Sequence, residues 1–181
     1  MRRLHAAHFH HLRHLGKWES SRSQSVWIGG IHTSTSDNLV SSYLHAQPFL
    51  NLVNRHITEV GCHVYTPRLT YTRWGIYDDN GYKYPGKLVA DFGETYGSQG
   101  DHWLTGLDVW LRGNKIYWAA MNTGGSEVSC FTHCYTMYQM LESHFNIQGG
   151  CLRVAYAYGV HPNPFPAGAE PWHNIVAMLM R

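Results

Sequence analysis

Residues 129–145 read SCFTHCYTMYQMLESHF, and this stretch decides the predicted fold. Apolar residues recur there at the three- and four-residue spacing of one helix face: Phe131, Cys134, Tyr135, Tyr138, Leu141 and Phe145. This periodicity is typical of an amphipathic α-helix. The sequence therefore predicts a helix that begins near Ser129 and ends before Gly149-Gly150.

Strand-like segments lie on both sides of that helix. Lys115–Met121 precedes it and ends at the glycines of Asn122–Gly125, whereas Cys151–Tyr158 follows it with near-continuous apolar character. Such an apolar run suits a central strand of a sheet. Strands that alternate with helices predict an α/β fold, with a single mixed β-sheet flanked by helices.

A second helix is predicted from His102 to Leu111. Asp101 is placed to cap its start, and Gly113-Asn114 is placed to end it. The residues at helical spacing are Trp103, Leu104, Leu107, Trp110 and Leu111. A strand remains the open alternative, because Trp103, Leu107, Val109 and Leu111 also fit an alternating pattern.

The segment Cys62–Phe92 is rich in β-branched and aromatic residues and favours strands. Its Asp78-Asp79-Asn80-Gly81 sequence predicts a β-hairpin, since an Asn-Gly pair supplies the positive φ angles of a tight turn. Residues 93–101 contain three glycines and predict a loop.

The outer segments predict shorter or interrupted elements. A strand is expected at Val26–Ile31, and Asp37–His56 predicts a helix that Pro48 would break or kink. Ile175–Met180 predicts a short strand or a terminal helix.

The composition predicts one globular, soluble domain of 181 residues. Apolar residues make up 44% of the chain, but no apolar run is long enough to span a bilayer, so no membrane partner is expected. The four cysteines and the lack of an apolar leader predict reduced thiols and an intracellular location, cytoplasmic or organellar.

Basic residues are concentrated at the N-terminus. Residues 1–18 hold Arg2, Arg3, Arg13 and Lys17 without an acid, which leaves ten basic and twelve acidic residues in the rest. We expect residues 1–25 to form a flexible, basic, His-rich arm and residues 26–181 to form the domain. The arm is the part suited to binding phosphate, because the remainder is slightly acidic.

Three residues with metal-ligand chemistry stand at the starts of the two predicted helices: His102, Cys130 and Cys134. Helices that follow strands of one sheet begin at the same edge, where α/β proteins build their sites. Imidazole and thiolate are preferred zinc ligands, and three protein ligands leave a fourth position for water. A zinc site at these residues is therefore expected.

These motifs resemble those of the zinc-dependent cytidine deaminase superfamily, in particular its AID/APOBEC and bacterial toxin-deaminase branches. Those proteins place a His at one helix start and two Cys at the next, with a strand between. The matching segments, within residues 70–180, are Asp101-His102-Trp103-Leu104, Lys115–Met121 and Ser129-Cys130-Phe131-Thr132-His133-Cys134. The resemblance implies a three-layer α/β/α fold, although the cysteines stand four apart where the family has three.

The resemblance also implies a reaction, the hydrolytic deamination of cytosine in a nucleotide or in single-stranded nucleic acid. The family's proton-transferring Glu stands two residues after the His, where this chain has Leu104. Glu94 or Glu127 would have to transfer the proton instead, and without either the domain would be a pseudoenzyme. The residues that the resemblance assigns to the base are Trp103, Trp118 and Asn122.

Two other classes of function fit the sequence. Cys130 at a helix start could be the nucleophile of a hydrolase, paired with His161, His173 or His102. Alternatively, a strand-rich and aromatic-rich domain with a basic arm fits a non-catalytic assembly, coat or binding subunit. Such a subunit would form oligomers, and its arm would contact nucleic acid or a neighbouring chain.

Overall fold

The computed structural model describes residues 26–28, 42–64, 69–125, 151–172 and 178–181. Within these ranges the secondary structure consists of ten β-strands, with no helix. The strands are β1 (Val26–Ile28), β2 (Tyr43–Asn51), β3 (Arg55–Val64), β4 (Thr70–Asp79), β5 (Pro85–Gly97), β6 (Gly100–Leu111), β7 (Lys115–Thr123), β8 (Cys151–Ala155), β9 (Glu170–Trp172) and β10 (Met178–Met180).

The strands form two antiparallel sheets. The four-stranded sheet has the order β1-β10-β3-β6, and the six-stranded sheet has the order β5-β4-β7-β2-β8-β9. Strands β8 and β9 extend the second sheet beside β2. The other eight pair as nested partners, β1 with β10, β2 with β7, β3 with β6 and β4 with β5. This is the order produced when one long hairpin rolls into two facing sheets, which is a jelly roll.

The predicted α/β fold is therefore wrong. The part of the chain that the structure describes is all-β, so it is not a sheet flanked by helices as in a deaminase. Two segments predicted to be helical, within Asp37–His56 and His102–Leu111, form β2 and β6 instead. The predicted loop at residues 93–101 is the end of β5 and the beginning of β6. The helix predicted from Ser129 lies outside the described residues.

The apolar residues of β6 have a helix-like spacing because the strand is irregular at Gly106. Ile57 of β3 pairs with Val109, and Glu59 pairs with Thr105, so β6 uses four steps where β3 uses two. Gly106 has a φ of 73°, a left-handed conformation that glycine adopts without steric cost. The extra residues let both Leu104 and Leu107 face the core, which produces a helix-like spacing of three in a strand.

Other predicted elements are confirmed. The hairpin around Asp78-Asp79-Asn80-Gly81 joins β4 and β5, and the strand at Lys115–Met121 is β7. The strand predicted from Cys151 is β8, although it ends at Ala155. Short strands also form within Val26–Ile31 and Ile175–Met180.

Two apolar clusters lie on opposite faces of the six-stranded sheet. The first fills the space between the sheets and includes Ile57, Val60, Trp74, Ile76, Tyr117 and Met121. The second lies on the other face and includes Leu44, Ala46, Tyr77, Trp118, Leu152 and Phe165. Residues 156–169, which join β8 to β9 and are called the strap below, cover this second cluster. The central strand β7 is consequently buried on both faces.

Phe165 anchors the strap to the sheet. Its ring packs edge-on against Tyr77, with 5.1 Å between the ring centroids, and its side chain is buried. The Tyr77 hydroxyl donates a hydrogen bond to the Pro162 carbonyl (2.8 Å), and the Tyr84 hydroxyl donates one to the Pro166 carbonyl (2.7 Å). Two carbonyls of the strap thus find hydrogen-bond donors in Tyr77 of β4 and Tyr84 of the β4–β5 turn.

We expect Phe165→Ala to lower the free energy of unfolding by about 3 kcal/mol, because it removes a buried ring and leaves a cavity. Chemical denaturation of the purified protein measures this loss. Val160→Ala, in the same strap but at a side chain that is 64% exposed, is the matched control. Its cost should stay within about 0.5 kcal/mol. Equal losses for the two variants would contradict the anchoring role of Phe165.

Candidate functional site

His102, a predicted zinc ligand, lies near the start of β6 and begins no helix. Its imidazole lies over Gly97 of β5, where an added Cβ would clash with the ring. Its Nε2 is 2.6 Å from the carbonyl oxygen of Ser98. The His102 side chain therefore closes the turn between β5 and β6.

Glu94 and Trp103 line the same shallow, open pocket as His102, between β5 and β6. The Glu94 carboxylate accepts a hydrogen bond from the Tyr158 hydroxyl, and it lies 3.7 Å from Nη1 of Arg73. The guanidinium carbon of Arg181 lies 4.4 Å from the centroid of the Trp103 ring. The structure thus brings three of the predicted residues together, but it gives each of them a structural partner.

Trp118 and Asn122 lie away from that pocket, buried in the central strand β7. The Trp118 indole donates a hydrogen bond to Oδ2 of Asp79 (2.9 Å), and the Asn122 amide donates one to the Tyr43 carbonyl (2.9 Å). Their side chains hold neighbouring strands together. The predicted base-binding group is therefore divided between two places, with only Trp103 at the pocket.

Zinc binding stays a prediction. Cys130, Cys134 and Glu127 lie outside the described residues, as does His173, so His102 is the one predicted ligand that the structure places. Among the residues described, no group of three His, Cys, Asp or Glu side chains could hold a metal ion. The predicted zinc site requires two helix starts at one sheet edge, and the structure does not supply the first of them, because His102 belongs to strand β6.

Asp91 and His161 form a cluster that the sequence did not indicate. The Asp91 carboxylate accepts hydrogen bonds from Arg73 Nε (2.9 Å) and from the backbone N–H groups of His161 and Gly93 (both 3.0 Å). Burial alone would raise the pKa of Asp91. The hydrogen bonds from His161, Arg73 and Gly93 outweigh burial, so that its pKa lies below the ordinary value. The Asp91 carboxylate thus fixes the strap to β4 and β5.

The His161 imidazole is buried against the backbone of Gly75, where an added Cβ would clash with Nδ1. Neither ring nitrogen has a hydrogen-bond partner. Burial lowers the pKa of His161 to about 4, and Arg73 acts in the same direction, while Asp91 only partly opposes them. Burial and Arg153 likewise lower the pKa of His45 in β2 to about 3. Both histidines are therefore neutral at pH 7.

Acid should destabilise the protein through these histidines. Because the folded pKa of His161 is below the ordinary 6.5, its neutral form contributes stability above pH 6.5, which is lost as the pH falls towards 4. We expect His161 to account for a loss of roughly 2 kcal/mol between pH 7 and pH 5. Denaturation of the wild type and of His161→Gln across this range measures the loss.

The slope of stability against pH should be shallower in His161→Gln, whatever the cost of the substitution at pH 7. Val160→Ala, at the exposed neighbour of His161 in the strap, is the control and should keep the slope of the wild type, because it removes no titratable group. An unchanged slope in His161→Gln would show that the buried imidazole is not a source of acid sensitivity.

Apolar side chains are exposed at the turn between β2 and β3. Leu50, Leu52 and Val53 are each more than half exposed, and residues 50–54 are called the apolar turn below. The buried amide of Asn51 donates hydrogen bonds to the carbonyls of Val53 and Arg112, both at 2.8 Å. The apolar turn is thus held in one conformation while it presents apolar side chains to solvent, which makes it a candidate interaction surface.

Comparisons of the chain with protein-family models, with curated proteins and with solved structures gave no match. In the ranges that the structure describes, no helix could cross a membrane.

Proposed function

We propose that this protein is a non-catalytic assembly subunit of the coat type, which associates with copies of itself and contacts nucleic acid through its basic arm. The observation that carries the proposal is the nested strand order of the jelly roll, an architecture used by viral capsid and lectin domains. Since one fold serves many functions, the proposal also depends on the charge distribution and on the exposed surface.

The charge distribution favours the coat type over the lectin type. Residues 1–18 are basic and contain no acid, and they precede β1, which is an edge strand of the four-stranded sheet. The rest of the chain has more acidic than basic residues, so phosphate is a suitable ligand for the arm but not for the body. A subunit with a basic arm and a slightly acidic body can pack its body beside other copies while its arm neutralises phosphates.

The apolar turn supports self-association. Leu52 is 65% exposed and lies on a backbone that Asn51 and Asn54 fix by hydrogen bonds. Burying such side chains against another copy gains about 25 cal/mol per Å² of apolar surface. Because the turn is already ordered, association does not have to pay the entropy of fixing it.

We expect the wild type to form oligomers at micromolar concentration, and Leu52→Asp to weaken that association by at least tenfold, because it places a charge in an apolar contact. Light scattering coupled to size-exclusion chromatography, over a series of concentrations, measures the oligomeric state. Leu69→Asp is the matched control, since Leu69 is 63% exposed and lies immediately before β4, outside the apolar turn.

A wild type that stays monomeric at every concentration, with and without added nucleic acid, would overturn the proposed function. Equal weakening by Leu52→Asp and Leu69→Asp would show that association does not depend on the apolar turn.

A further inference from the structure

Trp110 is a large apolar side chain that lies outside the apolar core. It lies on β6, the edge strand of the four-stranded sheet, and is 66% exposed. The apolar residues of β6 that reach the core are Leu104, Leu107, Val109 and Leu111, which lie on the opposite face. The Trp110 ring therefore faces away from the sandwich.

The Trp110 ring is nevertheless held in one orientation. Trp110 is the register partner of His56 on β3, and the two rings are stacked with 4.5 Å between centroids and 10° between planes. Nε2 of His56 lies 2.8 Å from Oδ1 of Asp108, which fixes the imidazole in turn. One face of the indole is thus covered by His56, and the exposed remainder is a rigid, flat aromatic surface.

Strand β1, which follows the basic arm in the sequence, begins at the same end of the four-stranded sheet. Strands β1 and β3 are both antiparallel to β10, so they run in the same direction, and Val26 is aligned through Met180 with Val60. Strands β1 and β3 therefore begin at the same end of the sheet, which is the end that carries His56 and Trp110. The three strand spacings between β1 and β6 amount to roughly 14 Å, a distance that a few extended residues can span.

The charges near Trp110 indicate which part of a nucleic acid can contact its ring. Asp108 places a carboxylate beside His56, which disfavours a phosphate directly at Trp110, while the arm supplies arginines for phosphates. Aromatic rings bind unpaired bases by stacking, whereas the bases of a duplex are already stacked on each other. The exposed face of Trp110 is therefore suited to a base and not to the phosphate backbone of a nucleic acid. It is also suited to a single strand and not to a duplex.

We propose that Trp110, backed by His56, is a stacking site for an unpaired base of a single-stranded nucleic acid whose phosphates bind to the basic arm. This inference rests on the proposed function, because it assigns a second contact to the nucleic acid that a coat subunit would carry.

The test uses the full chain and a fluorescent twenty-nucleotide oligothymidylate, with binding followed by anisotropy at several salt concentrations. We expect Trp110→Ala to bind roughly tenfold more weakly than the wild type, and Trp110→Phe to recover most of the loss. The salt dependence should not change in Trp110→Ala. It should fall in a variant with Arg2, Arg3, Arg13 and Lys17 replaced by Ala, because phosphate contacts determine it. Tyr82→Ala, at an exposed aromatic residue of the β4–β5 turn, is the control and should bind as the wild type.

Two results would overturn the stacking site and leave the proposed function intact. One is oligothymidylate binding that is equal in the wild type and in Trp110→Ala. The other is an altered oligomeric state of Trp110→Ala without nucleic acid and with unchanged binding, which would assign Trp110 to a contact between copies. A wild type that assembles but does not bind the oligonucleotide would overturn the stacking site together with the nucleic-acid contact of the proposed function, and would leave only its self-association. The failure of assembly itself is detected separately, by light scattering.

Discussion

The burial of β7 on both faces is the constraint on which the rest of the structure depends. A strand with apolar residues on both faces needs a covering layer on each side. The four-stranded sheet covers one face, and the strap covers the other. The strap has no ladder partners along most of its length, so side chains such as Tyr77, Tyr84 and Asp91 satisfy several of its polar groups. His161 is buried as a result of this arrangement. The stability of the outer layer is therefore expected to depend on pH.

The same constraint explains why residues that were predicted to form a functional site have structural roles. Trp118 and Asn122 carry polar groups into a buried strand, where each needs a partner, and they find Asp79 and the Tyr43 carbonyl. Glu94 is bound to Tyr158 of the strap and lies near Arg73. A sequence shows that such groups exist, but it does not show that neighbouring strands already satisfy them.

Local signals predicted the hairpin at Asp78-Asp79-Asn80-Gly81 and strands β7 and β8, because turn chemistry and continuous apolar runs depend on few residues. The two false helices have specific causes. Gly106 gives β6 a helical spacing, and Pro48 made β2 resemble a broken helix. Pro48 fits in β2 because β8 pairs only with Tyr43–Ala46, which leaves Pro48 at an edge-like position. The strap could not be predicted, since it depends on contacts more than eighty residues apart.

The irregular edges of the two sheets disfavour strand pairing with another chain. Strands β5 and β6 are long edge strands, and regular edges would invite pairing with the strands of another copy. The register of β5 against β4 shifts at three places, and that of β6 against β3 shifts at Gly106. These bulges interrupt the row of backbone groups that a partner strand would need. In the proposed assembly, specific contacts between copies would come from side chains on a fixed backbone, such as those of the apolar turn.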